Sequence, residues 1–275
     1  MSLSSGANPE KSHSMHECQT SHQVLPALFD PDVPDQPVLW AVLKGRHRGR
    51  ALVDDLHHPS QCVLRTDAVL TFASRHITQA FLDQAIDHFR QTESVWLVWP
   101  ASISPELHAP EGAQVAQRLE FYDIDPRSEM LASLRRSLPD GYTMRFINRQ
   151  LIERCEWGDE MEFYCGSIDN FLANGLGLCM MKGDEIIVEA YVSSFGDTTA
   201  EIGAVTREAY RGRGYAAIAC AYLIGACQQR GYQAYWSCDA DNLASIRVAC
   251  KLGFRKEGIY QILEYCTFFQ KLPAH

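Results

Sequence analysis

Val205-Thr-Arg-Glu-Ala-Tyr-Arg-Gly-Arg-Gly-Tyr-Ala216 joins the end of a β-rich run, Thr198–Thr206, to the start of a helix. Behind the turn, Ala217, Cys220, Ala221 and Ile224 recur at helical spacing until Gly231 ends the pattern. Gly212 and Gly214 lack a Cβ, so backbone amides there can approach a bound anion closely. The helix N-terminus adds partial positive charge, and Arg211 and Arg213 add full ones. This geometry suits a pyrophosphate.

Glycine-rich turns before helices are common, and the chain contains its own control. Arg46-His-Arg-Gly-Arg-Ala51 fits the same loose pattern, but Leu52-Val-Asp-Asp-Leu-His-His-Pro59 follows it without a helical apolar period. That earlier copy is expected to be a hairpin turn between strands at Val38–Leu43 and Ala51–Val53. Downstream of the later copy the pattern continues. Tyr232-Gln-Ala-Tyr-Trp-Ser-Cys238 predicts a short strand. Asp239-Ala-Asp-Asn242 is turn chemistry with Asn242 placed to cap a helix over Leu243–Leu252. Gly253-Phe254 closes that helix, and 255–269 reads as one or two final strands.

With these pieces in order, residues 142–269 resemble a GCN5-related N-acetyltransferase (GNAT) domain. The resemblance rests on Val205…Arg211-Gly-Arg-Gly-Tyr-Ala216 and on Asn242-Leu-Ala-Ser-Ile-Arg-Val-Ala-Cys-Lys-Leu-Gly-Phe254. The whole chain is also similar to the longer acetyltransferases that include zwittermicin A resistance enzymes. That second likeness rests on Pro37-Val-Leu-Trp-Ala-Val-Leu-Lys-Gly45 and on Gly49-Arg-Ala-Leu-Val-Asp-Asp55 with Pro59. The resemblance implies acetyl-CoA as co-substrate, with no metal. It implies a cofactor site made of Val205, Thr206, Arg211, Gly212, Arg213, Gly214, Tyr215, Ala216 and Asn242. In the family the strand before the turn lies along the pantetheine arm, so the Val205 N–H would polarise the thioester carbonyl. Ser245, at the first turn of the second helix, is a further candidate for the phosphates or the arm; a solvated hydroxyl is the alternative.

Amine acetylation needs a neutral nitrogen, so a proton acceptor helps near neutral pH. Glu201 lies four residues before Val205, on the same strand face, and some GNAT enzymes carry a glutamate there. The alternative is a surface carboxylate at a strand start. Many members place a tyrosine four residues before the Gly-Phe pair to protonate the leaving thiolate, whereas position 249 here is alanine. Cys250 is a poor replacement, and Tyr210, Tyr260 and Tyr265 are unranked candidates. Glu156, Asp159, Glu160 and Glu162 sit where the family's acceptor loops begin and would attract an ammonium group, unless they form a solvated face. His57-His58 has no partner at metal-ligand spacing.

The fold expected is α+β. Its C-terminal GNAT part has a mixed, mostly antiparallel sheet flanked by helices. A smaller N-terminal α/β domain precedes it, and this could be a degenerate copy of the same fold. Pro139-Asp-Gly141 is the boundary signal, which divides the chain into a disordered tail (1–23), an N-terminal domain (24–139) and the acetyltransferase domain (140–275). Before the boundary, a helix is expected over Ile77–Gln91 and a buried strand over Val95–Trp99, then a loop at 101–112. Val115–Phe121 and Met130–Leu138 read as connecting segments. After it, Tyr142–Ile147, Leu176–Lys182, Glu185–Ser194 and Thr198–Thr206 are strands, with short helices between the first two.

The 275 residues are 46% hydrophobic and 21% charged, ordinary for a globular protein with a real core. A net charge of −9 argues against a nucleic-acid or membrane-surface partner and fits a small cationic substrate. Ten cysteines without a Cys-x-x-Cys pair fit reduced thiols in the cytoplasm, and no apolar run approaches membrane-spanning length. The function expected is acetyl-CoA-dependent acetylation of a small-molecule amine in a ternary complex, with homo-oligomerisation open. Two alternatives stand beside it: an acyl-CoA-binding or sensing module without turnover, and a protein N-terminal acetyltransferase.

Overall fold

Six consecutive apolar residues, Val38–Leu43, illustrate how the sheet and its cover are divided. A short apolar run has no periodicity to separate strand from helix. The computed structural model, which describes residues 15–100 and 106–265, makes this run a helix and corrects the expected strand and hairpin. Pro37 presets the first turn, and the helix is buried almost all round, the condition under which an all-apolar helix is stable.

The first part of the chain holds β1 (His16–Cys18), α1 (Leu25–Leu28), α2 (Gln36–Leu43), β2 (Gly49–Val53), β3 (Cys62–Thr66), β4 (Leu70–Ala73), α3 (Gln79–Arg90), β5 (Val95–Trp99), β6 (Gln114–Tyr122) and α4 (Glu129–Arg136). The second part holds β7 (Tyr142–Phe146), α5 (Arg149–Ile152), α6 (Gly158–Cys165), α7 (Ile168–Asn174), β8 (Gly177–Lys182), β9 (Glu185–Phe195), β10 (Thr199–Thr206), α8 (Tyr215–Gln229), β11 (Gln233–Asp239), α9 (Leu243–Leu252) and β12 (Lys256–Tyr265). β1 falls inside the stretch expected as a tail; it pairs with β2 at the sheet edge, which its polar composition does not advertise. Residues 1–14, and the part of the last expected strand beyond 265, lie outside the described residues.

One order of elements occurs twice. β2, β3 and β4 form an antiparallel meander, α3 crosses over, and β5 returns parallel to β4. β8, β9 and β10 repeat the meander, α8 crosses over, and β11 returns parallel to β10. The closing strands are then exchanged. β6, from the first copy, lies against β11 of the second, while β12 lies against β5 of the first. β6 and β12 also pair with each other, so one twelve-stranded sheet runs through both copies. Strands from both sides of Pro139 therefore share the sheet.

β6 and α4 correct the reading of 115–121 and 130–138 as connections. β6 is central, yet its sequence is Gln-Val-Ala-Gln-Arg-Leu-Glu-Phe-Tyr, too polar to announce a central strand. Its polarity has a structural cause, because Arg118 and Glu120 hydrogen-bond to Ser237 and Tyr235 of β11 rather than packing into a core. The main core of the second copy lies between the sheet and α8, α9 and α4; the first copy has separate cores beneath α2 and α3.

Candidate active site

The pyrophosphate turn is built by left-handed backbone. Gly212 and Gly214 have φ of 76° and 79°, a region that costs an L-residue about 1–2 kcal/mol. Gly214 is the N-cap of α8 and supplies no side chain, so no capping hydrogen bond occupies the helix's first amides. Arg211 donates Nε–H to the Thr206 carbonyl at 3.1 Å, and Arg213 donates to the Ala209 carbonyl at 3.2 Å. Both arginines thus brace the loop while staying exposed. A residue that sequence reasoning missed joins them. Lys251, in the last turn of α9, brings Nζ to 2.8 Å from where a Cβ on Gly214 would stand.

α9 is held by its cap. The Asn242 Oδ1 accepts the Ser245 N–H at 3.0 Å, and the Ser245 hydroxyl accepts the indole N–H of Trp236 at 2.9 Å, tying α9 to β11. Asn242→Ala should therefore lower stability by about 1 kcal/mol, visible as a Tm drop of roughly 2–4 °C. CoA affinity in that variant is expected to move by less than about threefold, under 0.7 kcal/mol, by calorimetric titration. A larger loss of affinity would show that Asn242 also holds the ligand.

β10 and β11 pair in parallel only at Thr199↔Gln233, Ala200↔Ala234 and Glu201↔Tyr235. At that point β9 carries an extra residue: Glu201 faces Ser194 while Ile202 faces Val192. Such a bulge bends the strand pair. Beyond it β11 turns away to pair with β6, and positions 202–206 of β10 have no partner on that side. The result is a V-shaped opening that leads from Glu201 toward the glycine turn.

Ala200, Ile202 and Ala204 pack toward α8, so Glu201, Gly203 and Val205 face the opposite side. Ala234 and Trp236 pack toward α8 likewise, which puts Tyr235 and Ser237 beside Glu201. The Ser237 hydroxyl donates to Glu201 Oε1 at 2.7 Å. Burial, and next the charge of Asp35, push the Glu201 carboxyl up to about 7; the Ser237 hydrogen bond and Arg118 pull the other way. A carboxylate poised there can accept a proton near neutral pH.

A strand pair splayed beside a glycine turn and a helix N-terminus could admit an extended phosphate-bearing ligand, and comparison with known proteins gives the family. The profile of the GNAT acetyltransferases matches residues 27–263. The chain belongs to that family. An uncharacterized N-acetyltransferase of Bacillus subtilis, YdfB, is 31% identical over 127 residues, 46% of this chain and 49% of that protein. The chain thus matches about half the length of this curated relative. The crystal structure of a GCN5-related N-acetyltransferase-like protein from Streptococcus suis is 26% identical, with a TM-score of 0.64 over 86% of this chain and 96% of its own. A tandem GNAT protein from the clavulanic acid biosynthesis pathway shares the fold over 92% of this chain and 98% of its own, at 10% identity and a TM-score of 0.59. Its tandem architecture fits the doubled order of elements.

GNAT acetyltransferases use acetyl-CoA as acyl donor, and the turn fits its pyrophosphate: two left-handed glycines, free helix amides and Lys251 nearby. The GNAT thiolate acid has no evident holder. Ala249 is buried in the core, and Cys250 is exposed. The Tyr210 hydroxyl is engaged by Glu185, that of Tyr260 by Asp35 and that of Tyr265 by the Pro110 carbonyl. Of the acidic run, Glu160 is half-buried and accepts from the Tyr191 hydroxyl at 3.2 Å, while Glu156, Asp159 and Glu162 are exposed. Glu162 lines a cavity of about 260 Å³ together with Arg46, His47, Arg48 and Tyr164. His57 and His58 are exposed and donate backbone N–H to Asp55.

Sequence reasoning also missed Asp35, Arg118, Glu120, Tyr235 and Ser237. Arg118 donates to Ser237 at 3.1 Å, to Tyr260 at 3.1 Å and to Asp239 at 2.6 Å. The clue available was polar residues at alternate positions of 114–122, the mark of a strand with one wet face. Among the described residues no cluster could hold a metal ion, all nine cysteines are free thiols, and no helix is long and apolar enough to cross a membrane.

Proposed function

We propose that the protein transfers the acetyl group of acetyl-CoA to the amine of a small molecule, by direct attack in a ternary complex. The chain would act as two fused halves, 24–139 and 140–275, with the cofactor held by the second. Bound in the V-shaped opening, acetyl-CoA supplies an acetyl thioester. Gly212, Gly214 and the first amides of α8 are suited to its pyrophosphate. The resemblance puts the thioester carbonyl beside Val205, but the register that pairs Val205 with Glu189 and sends the Arg207 N–H to Ile187 turns the Val205 N–H toward β9, so the amides free on the open side are those of Ala204 and Thr206. A fixed N–H donor there is worth about 2.7–4 kcal/mol in an acyl transfer.

Overall, the thioester C–S bond is exchanged for an amide C–N bond: the ammonium first gives one proton to the base, the neutral amine attacks, and the second N–H proton ends on the departing CoA sulfur. Glu201 would receive the first of these protons. The observation that carries this reading is a carboxyl raised to about 7 at the apex of the splayed strands, on the face opposite α8. The test is release of free CoA thiol from acetyl-CoA in the presence of a primary-amine library, with calorimetry of CoA binding alongside. Turnover with a library amine is the expected result. Binding of acetyl-CoA with thiol release only in the presence of peptide N-termini would move the reading to protein acetylation. Binding without any turnover would leave an acyl-CoA-binding module.

A further inference from the structure

The cleft beside Glu201 carries more negative charge than base catalysis requires. Glu120 and Glu160 are half-buried there with Glu201, and Asp35 lies behind them, 1% exposed. Asp35 comes from the first half of the chain, at the N-cap of α2, where it holds φ of 55°. Its backbone N–H donates to the Tyr235 hydroxyl at 2.9 Å, and Tyr235 donates in turn to Glu120. Its Oδ2 accepts from Tyr260 at 2.6 Å, while its Oδ1 is buried with no hydrogen-bond partner. An unpartnered buried carboxylate oxygen is costly and is seldom kept without a use.

The cations do not balance this charge. Arg118 is hydrogen-bonded into this group, but its guanidinium is shared among Tyr260, Ser237 and Asp239, so one cation stands beside Asp35, Glu120, Glu160 and Glu201. His47, 5.9 Å from the Tyr164 ring, is held neutral, since burial and then the Arg46 charge push it down to about 4. Asp35 stands against the same strands: its N–H meets the hydroxyl of Tyr235, the residue paired with Glu201 across β10 and β11 and hydrogen-bonded to Glu120. Four hydrogen bonds link Asp35 to the base, through Tyr260, Arg118 and Ser237.

We propose that Glu120 and Asp35 hold a second cationic group of the acceptor while Glu201 takes the proton from the amine being acetylated, so that the preferred acceptor is a short diamine. This rests on the small-amine acetyltransferase reading and adds to it the acceptor's second charge. It also gives the first half of the chain a role, since Asp35 and Glu120 both precede the second copy of the fold. The two residues determine specificity and do not touch the reacting atoms.

The experiment compares propane-, butane-, pentane- and hexane-diamines with the monoamines of equal length, in the wild-type protein and in Asp35→Asn and Glu120→Gln. Asparagine tolerates the left-handed backbone at 35, and both amides keep an oxygen for their tyrosine partners. The wild-type protein should favour a diamine over its monoamine in kcat/KM by roughly 10-fold or more, the worth of one charge-assisted hydrogen bond. Each substitution should erase that preference through KM and leave CoA affinity unchanged; Glu120→Gln should also leave monoamine kinetics unchanged, whereas Asp35→Asn removes a charge that raises Glu201 and should move the monoamine kcat/KM rise to lower pH. If Asp35→Asn does not fold, Glu120→Gln, at a half-buried site, carries the test. No diamine preference in the wild-type protein, or one that survives both substitutions, overturns the subsite and leaves the acetyltransferase reading standing. If acetyl-CoA binds but neither series is acetylated, the small-amine reading falls and takes the subsite with it.

Discussion

Gly214→Val is expected to abolish CoA binding while leaving the chain folded. Gly214 has φ of 79°, which a β-branched residue adopts only with strain, so the turn must reshape to accept valine. The new Cβ would stand 2.8 Å from Lys251 Nζ, the free end of a flexible side chain that can swing aside. The fold therefore survives, but the anion loses its close approach to the turn and the cation beside it. Each charge-assisted hydrogen bond to an anion is worth ~1.5–3 kcal/mol, so losing two donors weakens binding by about 100-fold or more. Calorimetric titration with CoA reads this directly, and unchanged affinity in a folded Gly214→Val protein would make the turn purely structural.

The control for that experiment cannot be Gly49, the matching glycine of the earlier pattern. A Cβ there would stand 2.7 Å from the Arg65 carbonyl oxygen and 2.9 Å from Val42 Cγ1, so Gly49 serves the close packing of β2 against β3 and α2. Gly45→Ala is the better control. Gly45 has φ of 69° with nothing within 4 Å, so alanine carries the same backbone strain without approaching the cofactor turn. Its CoA affinity should match the wild-type value.

Glu201→Gln should lower kcat by about 10²–10⁴ at neutral pH, the usual worth of a positioned base. With the Glu201 carboxyl raised to about 7, wild-type kcat/KM should climb through that pH as the carboxylate forms, and the glutamine variant should lack this limb. The deficit shrinks at high pH as free amine becomes abundant. Stability should respond in the opposite sense. A carboxyl whose folded value exceeds the ordinary 4.5 binds more protons folded than unfolded between 4.5 and about 7, so stability falls as pH rises through that window. Glu201→Gln removes the loss and keeps an acceptor for Ser237, so its Tm relative to wild type should be higher at pH 8 than at pH 5. Near-full kcat at pH 7 with an accepted amine would remove Glu201 from the reaction.

The sequence by itself determined the second half of this protein to a large degree. Its signals are local: glycines that alone tolerate left-handed backbone at 212 and 214, an asparagine cap at 242, a glycine stop at 253 and hairpin turns at 183 and 196. Each acts within a few residues, so each can be read from a few residues. The same logic misled at 38–43, where an apolar run is a helix only because both of its faces find cover.

Tertiary structure alone decided the exchange of β6 and β12 between the two copies, since strand partners depend on what the other copy leaves open. It also decided the acceptor side of the cleft. Asp35 and Glu201 are 166 positions apart and meet because α2 of one copy lies over the splayed strands of the other. Burial, the main cause of the raised Glu201 carboxyl, exists only once those elements are packed. A buried charge has no local signature, because its energy belongs to the surroundings that exclude water from it.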